Sequence, residues 1–207
     1  MSALDTTGPY DRLYGAANPL LWSGEPGRVV ARAARRLPPG RALDLGCGDG
    51  RNILWLEQNG WMVDGVDVSS AALAAARKRF DIAGHVQRGT LTRADVGAAV
   101  FPKGAYHLVL VYGLYHCIPD SELTALHQRA LSALRLHGMM AFSALTDGLP
   151  LPADHGTGRL WLRSSHELRR LMTGLRVLSW EEGEIAEDHL PLVGPHKHAA
   201  VWGLVTK

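Results

Sequence analysis

The sequence lacks long apolar runs and has little cysteine, and each shortage excludes a class of protein. Its two cysteines, Cys47 and Cys117, cannot build the disulfide framework of a secreted domain. The longest apolar run, at Leu108–Leu114, is far below the roughly 18 residues that cross a bilayer, and it indicates a buried strand instead. Residues 1–9 contain neither the basic nor the apolar part of a secretory signal. We therefore expect a cytoplasmic protein without a membrane span.

The charge balance is also weak, and the composition is ordinary. Lysine and arginine exceed aspartate and glutamate by 22 to 20, and the resulting formal charge of +2 does not by itself indicate a nucleic-acid partner. Because 46% of the 207 residues are hydrophobic and 20% are charged, the chain does not have the composition of a disordered protein. Its length suits one domain with a full core, and no repeat or linker divides it.

Short apolar runs alternate with helical patterns after residue 40, which is typical of βαβ units around a parallel sheet. The predicted strands are Arg41–Gly46, Met62–Val68, His85–Gly89, Tyr106–Tyr112, Met139–Leu145, Arg176–Trp180 and Ala199–Thr206. The predicted helices are Pro26–Leu37, Asn52–Asn59, Ser70–Phe80, Ser121–Leu136 and a short one that begins after a capping box at Ser164–Glu167 and ends at Gly174. Gly60 and Gly138 are expected as left-handed residues after helix ends. Residues 150–158, with two prolines and two glycines, are expected to form a loop.

The helix predicted before the first strand carries two stripes. One is apolar, and the other is a row of arginines, Arg28, Arg32, Arg35 and Arg36. Such a row can contact phosphates, but a solvated helix face is the commoner outcome, and we take that interpretation.

The most informative stretch, at residues 41–52, is an apolar strand, then the alternating glycines Gly46, Gly48 and Gly50, then a helix. Glycines at the end of the first strand of an open α/β sheet let the backbone approach a ligand that a Cβ would repel. A dinucleotide fingerprint would need a glycine where Arg51 stands, and the Gly-Lys-Ser/Thr of a P-loop is absent. The spacing therefore argues against a pyrophosphate ligand.

Acidic residues accompany this loop. Asp67 ends the second predicted strand, where a carboxylate accepts hydrogen bonds from ribose hydroxyls, and Asp95 follows the third strand region. Asp44 lies inside the first strand, and a buried carboxylate is costly unless a polar or cationic partner meets it. Asp44 either caps backbone amides of the loop or helps to hold a ligand's ammonium group, and the neighbouring glycine loop favours the second interpretation.

These residues resemble those of a known family. The string at residues 43–50 (LDLGCGDG) looks like motif I of class I S-adenosylmethionine (SAM) dependent methyltransferases. Residues 50–67 are similar to the branch that holds the tellurite-resistance and thiopurine-type enzymes, which act on small molecules. Residues 106–119 resemble the family's fourth strand and the motif after it. Residues 131–143 resemble the next helix and fifth strand, with Leu136-His137-Gly138 in place of a Pro-Gly-Gly ending.

The resemblance is specific over residues 42–120 and architectural after residue 150. It implies an α/β fold with an open, doubly wound, Rossmann-like sheet of seven mostly parallel strands, the last of them antiparallel. It also implies a single domain. Within this domain we expect a lid or anchor segment at 1–24, a leading helix at 25–40, a cofactor-binding core at 41–145, and a C-terminal helix and strand pair at 146–207.

The resemblance further implies SAM as the cofactor. The three glycines would pass along its methionine part, Asp44 would lie near its amino group, and Asp67 would bind the ribose hydroxyls. Asp95 would bind the adenine amine, and Val96 would contact the ring through its backbone. The complete set of expected cofactor-binding residues is Asp44, Gly46, Cys47, Gly48, Gly50, Asn52, Asp67, Val68, Asp95, Val96 and Tyr112.

Methyl transfer from a sulfonium needs alignment and exclusion of water more than acid–base chemistry, so no catalytic triad is expected. Tyr115 and His116 follow the fourth strand, where the acceptor should lie, and they are the catalytic candidates. His116 is either a general base or a packing residue that bonds a loop carbonyl. The residues expected to bind the acceptor are Tyr10, Tyr14, Trp22, Tyr115 and His116; those in the N-terminal segment either fold over the site or anchor the first helix.

Histidines in the C-terminal connection raise the question of a metal. His196 and His198 alternate on a strand and would share a face, with His189 nearby. No spaced cysteine supports them, so we expect no metal site. Cys47 has no basic neighbour to activate it and is expected to fill space under the loop.

Together these features predict a methyltransferase that moves a methyl group from SAM to a small molecule, either a specialised metabolite or a chalcogen- or thiol-type compound. Two alternatives stay open: an RNA or protein methyltransferase on the same fold, and a SAM-binding protein that transfers no methyl. We expect no nucleic-acid or membrane partner, and a monomer or a homodimer.

Overall fold

The computed structural model describes residues 8–16, 22, 24–150, 160–189 and 193–207. Its helices are α1 (Pro9–Ala16), α2 (Arg28–Ala34), α3 (Arg51–Gln58), α4 (Ser70–Ile82), α5 (Asp120–Ala133) and α6 (Ser165–Leu171). Its strands are β1 (Arg41–Leu45), β2 (Met62–Asp67), β3 (Leu91–Arg93), β4 (Tyr106–Tyr112), β5 (Leu134–Leu145), β6 (Arg176–His189) and β7 (Val193–Thr206). A 3-10 turn, Tyr115–Cys117, follows β4.

The seven strands form one sheet in the order β3-β2-β1-β4-β5-β7-β6. The first five strands run parallel, with Ala42 of β1 opposite Val63 of β2 and Leu108 of β4. Strand β7 is antiparallel to both of its neighbours, with Ser143 of β5 opposite Trp202 of β7. The predicted fold class, a mostly parallel seven-stranded sheet with an antiparallel last strand, is confirmed.

Two apolar clusters cover the two faces of this sheet. On one face, α2, α3 and α4 pack against β1, β4 and β7, with Trp61 and Ile53 almost completely buried. On the other face, α5 and α6 pack against β4 and β5 around Tyr115 and Phe142. The strands are therefore buried on both sides, which explains the nearly continuous apolar runs of β1 and β4. None of the helices in the described ranges is long and apolar enough to cross a membrane.

The third strand is displaced from its predicted position. A strand was expected at residues 85–89, but β3 lies at Leu91–Arg93. The completely buried carboxylate of Glu57 binds the His85 ring and the backbone N–H groups of Arg88 and Gly89, so these amides are engaged by a side chain rather than a neighbouring strand. This long-range contact leaves no periodic signal in the sequence.

The turn before the central part of β5 corrects a second expectation. Gly60 has a φ of +90°, as predicted for a residue after a helix end, but Gly138 does not adopt the left-handed conformation, and His137 does, with a φ of +62°. Gly138 is needed for a close approach instead, because a Cβ there would lie 3.0 Å from the carbonyl oxygen of His107 on β4. The capping box predicted at Ser164 and Glu167 is confirmed. Helix α1 was not predicted. Most of the loop expected at 150–158 lies outside the described residues.

Candidate functional site

A cavity of about 680 Å³ lies at the carboxyl ends of the parallel strands. Residues 46–49 after β1, Asp67 and Val68 at the end of β2, and Tyr112 at the end of β4 contribute to its wall. Strand ends at this edge of an open α/β sheet are the usual place for a ligand. The predicted site residues therefore converge on one cavity, with the exceptions of Asp44, Gly50 and Tyr115.

The glycine loop brings backbone against this cavity. Gly48 has a φ of +55°, and a Cβ on it would collide with the hydroxyl group of Tyr14 from α1. Gly46 also lines the cavity. Gly50 does not, which corrects the prediction that it contacts the cofactor. A Cβ on Gly50 would lie 2.9 Å from that of Ala76, so this glycine lets α3 begin close to α4.

Asp67 is held by backbone amides and still has hydrogen-bonding capacity. One carboxylate oxygen accepts from Gly48 N at 2.8 Å and the other from Ser69 N at 2.9 Å. Burial raises the pKa of Asp67, and these two hydrogen bonds oppose that effect. Because a carboxylate offers about four lone-pair positions, about two remain for a diol such as a ribose.

Asp44 is completely buried and its two carboxylate oxygens have no hydrogen-bond partner among the described residues. Burial raises its pKa to about 8, the charge of Asp67 adds to the effect, and the charge of Arg51 opposes it. Asp44 does not line the cavity and lies behind residues that do. The capping alternative is not supported, because the loop amides of Gly46 and Cys47 donate to the carbonyl of Val66 instead.

The far end of the cavity is acidic. Asp95 and Val96 line it beyond β3, and the Asp95 carboxylate accepts from Gly97 N at 2.7 Å. Glu122 of α5 also lines this end, since a Cβ on Gly97 would lie 3.4 Å from its Oε2. The carboxylates of Asp95 and Glu122 thus border the same end of the cavity as Val68 and Val96.

Helix α1 covers the cavity and is fixed to three other elements. Tyr10 Oη contacts Cys117 Sγ at 2.8 Å, and Tyr14 Oη accepts from Trp22 Nε1 at 3.3 Å. Asp11 accepts from the hydroxyl of Ser69 and from the first turn of α4, which lowers the pKa of Asp11. The predicted residues of the N-terminal segment, Tyr10, Tyr14 and Trp22, all line the cavity.

A buried ion pair connects the glycine loop to α4 and to Trp22. Arg79 binds the Asp49 carboxylate at 2.7 Å and the Asp49 carbonyl at 2.9 Å, and it also donates to the carbonyl of Trp22. Asp49 in turn accepts from the backbone N–H of Trp22. This pair was not predicted, because no spacing pattern in the sequence links Asp49 to Arg79.

Tyr115 does not contact the cavity, which corrects its assignment as a catalytic and acceptor-binding residue. Its side chain is completely buried on the opposite face of the sheet, where its hydroxyl bonds His127 Nδ1 at 2.8 Å and its ring packs on Phe142. This arrangement continues the two-residue alternation of β4, in which Val109 and Val111 lie in the same core cluster as Tyr115. Tyr112 and His116 therefore face the cavity, and Tyr115 faces the core.

His116 lines the cavity with its ring oriented by the backbone. Leu145 N–H donates to His116 Nδ1 at 3.1 Å. An amide nitrogen can only donate, so this contact assigns the neutral ring a proton on Nε2. In that tautomer His116 is a hydrogen-bond donor, and the geometry argues against the general-base role considered above.

The turn that carries His116 is held by Arg163, which the sequence did not single out. Its buried guanidinium donates to the carbonyls of Tyr115 and Ile118 at 2.8 and 2.7 Å, and it binds Asp120 at the start of α5. Trp161 N–H adds a bond to the His116 carbonyl. The segment after residue 160 therefore fixes the backbone on both sides of His116.

The opposite end of the cavity, over β5, β7 and β6, is apolar and aromatic. The guanidinium of Arg28 stacks on the ring of Trp202 of β7, 4.0 Å from the ring centroid. Arg28 therefore contacts another side chain of the cavity wall, whereas we had expected it to be only solvated. Arg51 lies between the rings of Trp22 and Tyr112, at 5.3 and 5.5 Å.

The remaining predictions concern Asn52, the thiols and the histidines. Asn52 lines the cavity, and its Oδ1 accepts from Gly27 N at 2.9 Å. Burial raises the pKa of the Cys47 thiol well above its usual range and that of Cys117 to about 11, so neither has the character of a nucleophile.

The rings of His196 and His198 lie 4.6 Å apart, and in the described part of the chain no three potential metal ligands converge. The side chain of His189 lies outside the described residues.

Comparison with known proteins shows what this chain is similar to. Residues 42–138 match the family described as "Methyltransferase domain". This part of the chain is therefore similar to a methyltransferase domain. Ribosomal RNA small subunit methyltransferase C of Alcanivorax borkumensis is 41% identical over 56 residues, which are 26% of this chain and 17% of that protein. The chain therefore spans less than a fifth of the curated relative that it matches.

Solved structures share the fold of this chain. TehB from Haemophilus influenzae has a TM-score of 0.74 and 18% identity, over 96% of this chain and 67% of that one. The 1,6-didemethyltoxoflavin-N1-methyltransferase of Burkholderia thailandensis, solved with bound 1,6-didemethyltoxoflavin and S-adenosylhomocysteine, has a TM-score of 0.65 and 19% identity, over 86% of this chain and 76% of that one. At these identities the likeness shows the fold alone, which is the class I fold predicted from the sequence.

The residues around the cavity fit SAM. The volume of the cavity lies within the range of about 300–1,000 Å³ that is usual for small-molecule sites. Asp67 retains acceptor positions for a diol such as the ribose of SAM. The unpartnered Asp44 lies behind the cavity wall and does not contact the cavity itself.

Proposed function

We propose that this protein transfers a methyl group from SAM to a small-molecule acceptor. When bound, SAM supplies an electrophilic methyl group on a sulfonium. The residues of the chain align the reactants and exclude water, which is where most of the rate enhancement of such a displacement can arise. The observation that carries the proposal is the convergence of Gly46, Gly48 and Asp67 on one cavity beneath α1, with the buried and unpartnered Asp44 on the strand that leads into this glycine loop.

Different parts of the cavity wall have different proposed roles. Asp67 holds the ribose, Asp95 and Val96 border the adenine, and Tyr10 and Tyr14 close the site from α1. His116 Nδ1 already accepts from Leu145 N–H, so we do not assign His116 the role of taking a proton from the acceptor. An acceptor that enters as an anion, or reacts through an uncharged lone pair, needs no base in this arrangement.

Calorimetry with S-adenosylhomocysteine tests the proposal. We expect binding by the folded wild-type protein, and a loss of about 1–3 kcal/mol in Asp67→Ala because the sugar hydroxyls lose their acceptor. Asp81→Ala, which removes an exposed carboxylate of α4, is the matched control and should bind like wild type. Wild-type affinity in Asp67→Ala, or no heat with folded wild-type protein at tens of micromolar ligand, would contradict the assignment.

Methylation of RNA is the second candidate, and the short likeness to a ribosomal RNA methyltransferase favours it. The basic row on α2 is partly engaged, since Arg28 and Arg32 both pair with Glu181 of β6. Salt-dependent retention of RNA that disappears when Arg35 and Arg36 are neutralised would support this alternative. Retention that does not change in that variant would leave the small-molecule acceptor as the better assignment.

A further inference from the structure

The two ends of the cavity carry opposite charge. The end over β2 and β3 is lined by the carboxylates of Asp67, Asp95 and Glu122. The end over β5, β7 and β6, here called the acceptor end, is lined by Arg28 and by apolar and aromatic side chains such as Leu145, Leu160, Ile185 and Trp202. Among the described residues, no carboxylate lines the acceptor end. The cofactor proposed above accounts for the acidic end and leaves the other without a ligand.

Sheet pairing builds the acceptor end as one continuous wall. Leu145 of β5 lies opposite Ala200 of β7, which in turn lies opposite Gly183 of β6. Ser143 lies opposite Trp202 two pairs further along, on the same face of the sheet. Because these strands are hydrogen-bonded neighbours, the wall is a rigid apolar surface, and it suits the body of a ligand rather than a charged group.

Arg28 places a fixed positive charge at this wall. It is the first residue of α2, and its guanidinium stacks on the Trp202 ring, whose residue is only 4% exposed. The Arg28 side chain is about half exposed, so a ligand can reach it. Glu181 lies 3.8 Å from Arg28 but makes its shorter contact with Arg32. One carboxylate therefore serves two guanidinium groups, and a net positive charge stays at the acceptor end.

We infer that the acceptor is an organic anion with an apolar body, such as an aromatic carboxylate. Its charged group pairs with Arg28, and its body lies against Trp202 and the apolar wall. A guanidinium already stacked on an indole loses little freedom when it binds a planar carboxylate, which makes arginine well suited to this role. The inference rests on the proposed function, because it assigns the acceptor of the same cavity.

A matched series of probes tests this inference on the protein saturated with S-adenosylhomocysteine. Indole-3-acetate, indole-3-acetamide and tryptamine share one apolar body and differ in charge, and naphthalene-2-carboxylate with its amide gives a second series. We expect each carboxylate to bind at least about fivefold more tightly than its amide, as a partly exposed charge pair allows, and tryptamine to bind more weakly still. Ligand-observed NMR titration measures the ratios.

Variants separate Arg28 from the general charge of α2. Arg28→Gln should abolish the preference for the carboxylate, and it should fold because Glu181 keeps Arg32 as a partner. Arg35→Gln removes an exposed charge that does not line the cavity, and it should keep the preference. A further test needs only the wild-type protein. Its preference for the carboxylate over the amide should shrink as the salt concentration is raised, because the pair of Arg28 and the ligand carboxylate is partly exposed to solvent.

The outcomes separate this inference from the proposed function. If S-adenosylhomocysteine does not bind, the proposed function fails. If it binds but amide and carboxylate bind equally, or no carboxylate binds at millimolar concentration, or Arg28→Gln keeps the preference, the anionic acceptor is wrong while the methyltransferase proposal stands. A carboxylate preference that Arg28→Gln removes and Arg35→Gln keeps supports the inference.

Discussion

At the scale of single residues, Asp44 connects the candidate site to the stability of the protein. Its carboxyl group has a pKa of about 8 in the fold, against about 4 in an unfolded chain. Between about pH 4 and pH 8, Asp44 keeps its proton in the folded protein and has released it in the unfolded chain. Stability therefore falls as the pH rises through this window, and the contribution of a neutral Asp44 is complete only below about pH 4.

Replacing Asp44 by asparagine removes this dependence, because an amide of the same shape does not ionise. We expect Asp44→Asn to be slightly more stable than the wild type near pH 5, and this difference to be much larger near pH 8.5. Urea unfolding of the ligand-free proteins at both values measures the difference, with Asp81→Asn as the control for an exposed carboxylate. A difference that does not change with pH would show that Asp44 has no such linkage.

The same residue shows what could be predicted from the sequence at this scale. Asp44, Gly48 and Asp67 were found because each stands at a fixed offset from a strand end, and the fold brings such positions together. Arg28 was taken as a solvated residue because its contact with Trp202 joins positions 174 residues apart. No local pattern records such a pair.

At the scale of elements, the turn after β4 depends on the loop that follows β5. The bounds of β4 were predicted correctly, because a buried central strand has an uninterrupted apolar run. Tyr115 and His116 were both expected to face the cavity, but the alternation of β4 continues into the next turn and places them on opposite faces. What the sequence does not show is how this turn is held: Arg163, far along the chain, bonds the carbonyls on both sides of His116.

Loss of the Arg163 side chain should therefore unfold the turn locally and destabilise the protein. We expect Arg163→Met to cost about 2–4 kcal/mol, because it leaves carbonyls of Tyr115, Ile118 and Trp161 without their donor. Arg163→Lys should recover only part of the loss, since one ammonium cannot reach all of these acceptors. Denaturant unfolding measures the three proteins.

The ion pair of Arg163 is the necessary control for this interpretation. Asp120 is 82% exposed in its side chain, so Asp120→Asn should cost less than about 1 kcal/mol. If Asp120→Asn destabilises as much as Arg163→Met, the salt bridge rather than the carbonyl contacts holds the turn.

At the scale of the whole molecule, the candidate site is formed by separate parts of the chain. The arrangement of the sheet beneath it was predictable from the sequence, but the position of helix α1 over the cavity was not. The order of alternating strands and helices fixes the sheet and places the glycine loop, β2 and β4 side by side. Helix α1 has no partner in that pattern. It is fixed by contacts between the N-terminal segment and residues far along the chain, such as Tyr10 with Cys117.

The buried pair of Arg79 and Asp49 should couple this closure to the fold. Arg79→Met leaves the Asp49 carboxylate buried and unpaired, at a cost of about 3–5 kcal/mol, whereas the double variant with Asp49→Asn should recover a large part of it. Because Arg79 and Asp49 also bond the backbone of Trp22, both variants should show faster amide exchange in residues 8–16 than wild type. Hydrogen exchange followed by mass spectrometry measures this, with α6 as the internal reference. If exchange in α1 stays at the wild-type rate while stability falls, the pair stabilises the glycine loop alone and the cover over the cavity is held by other contacts.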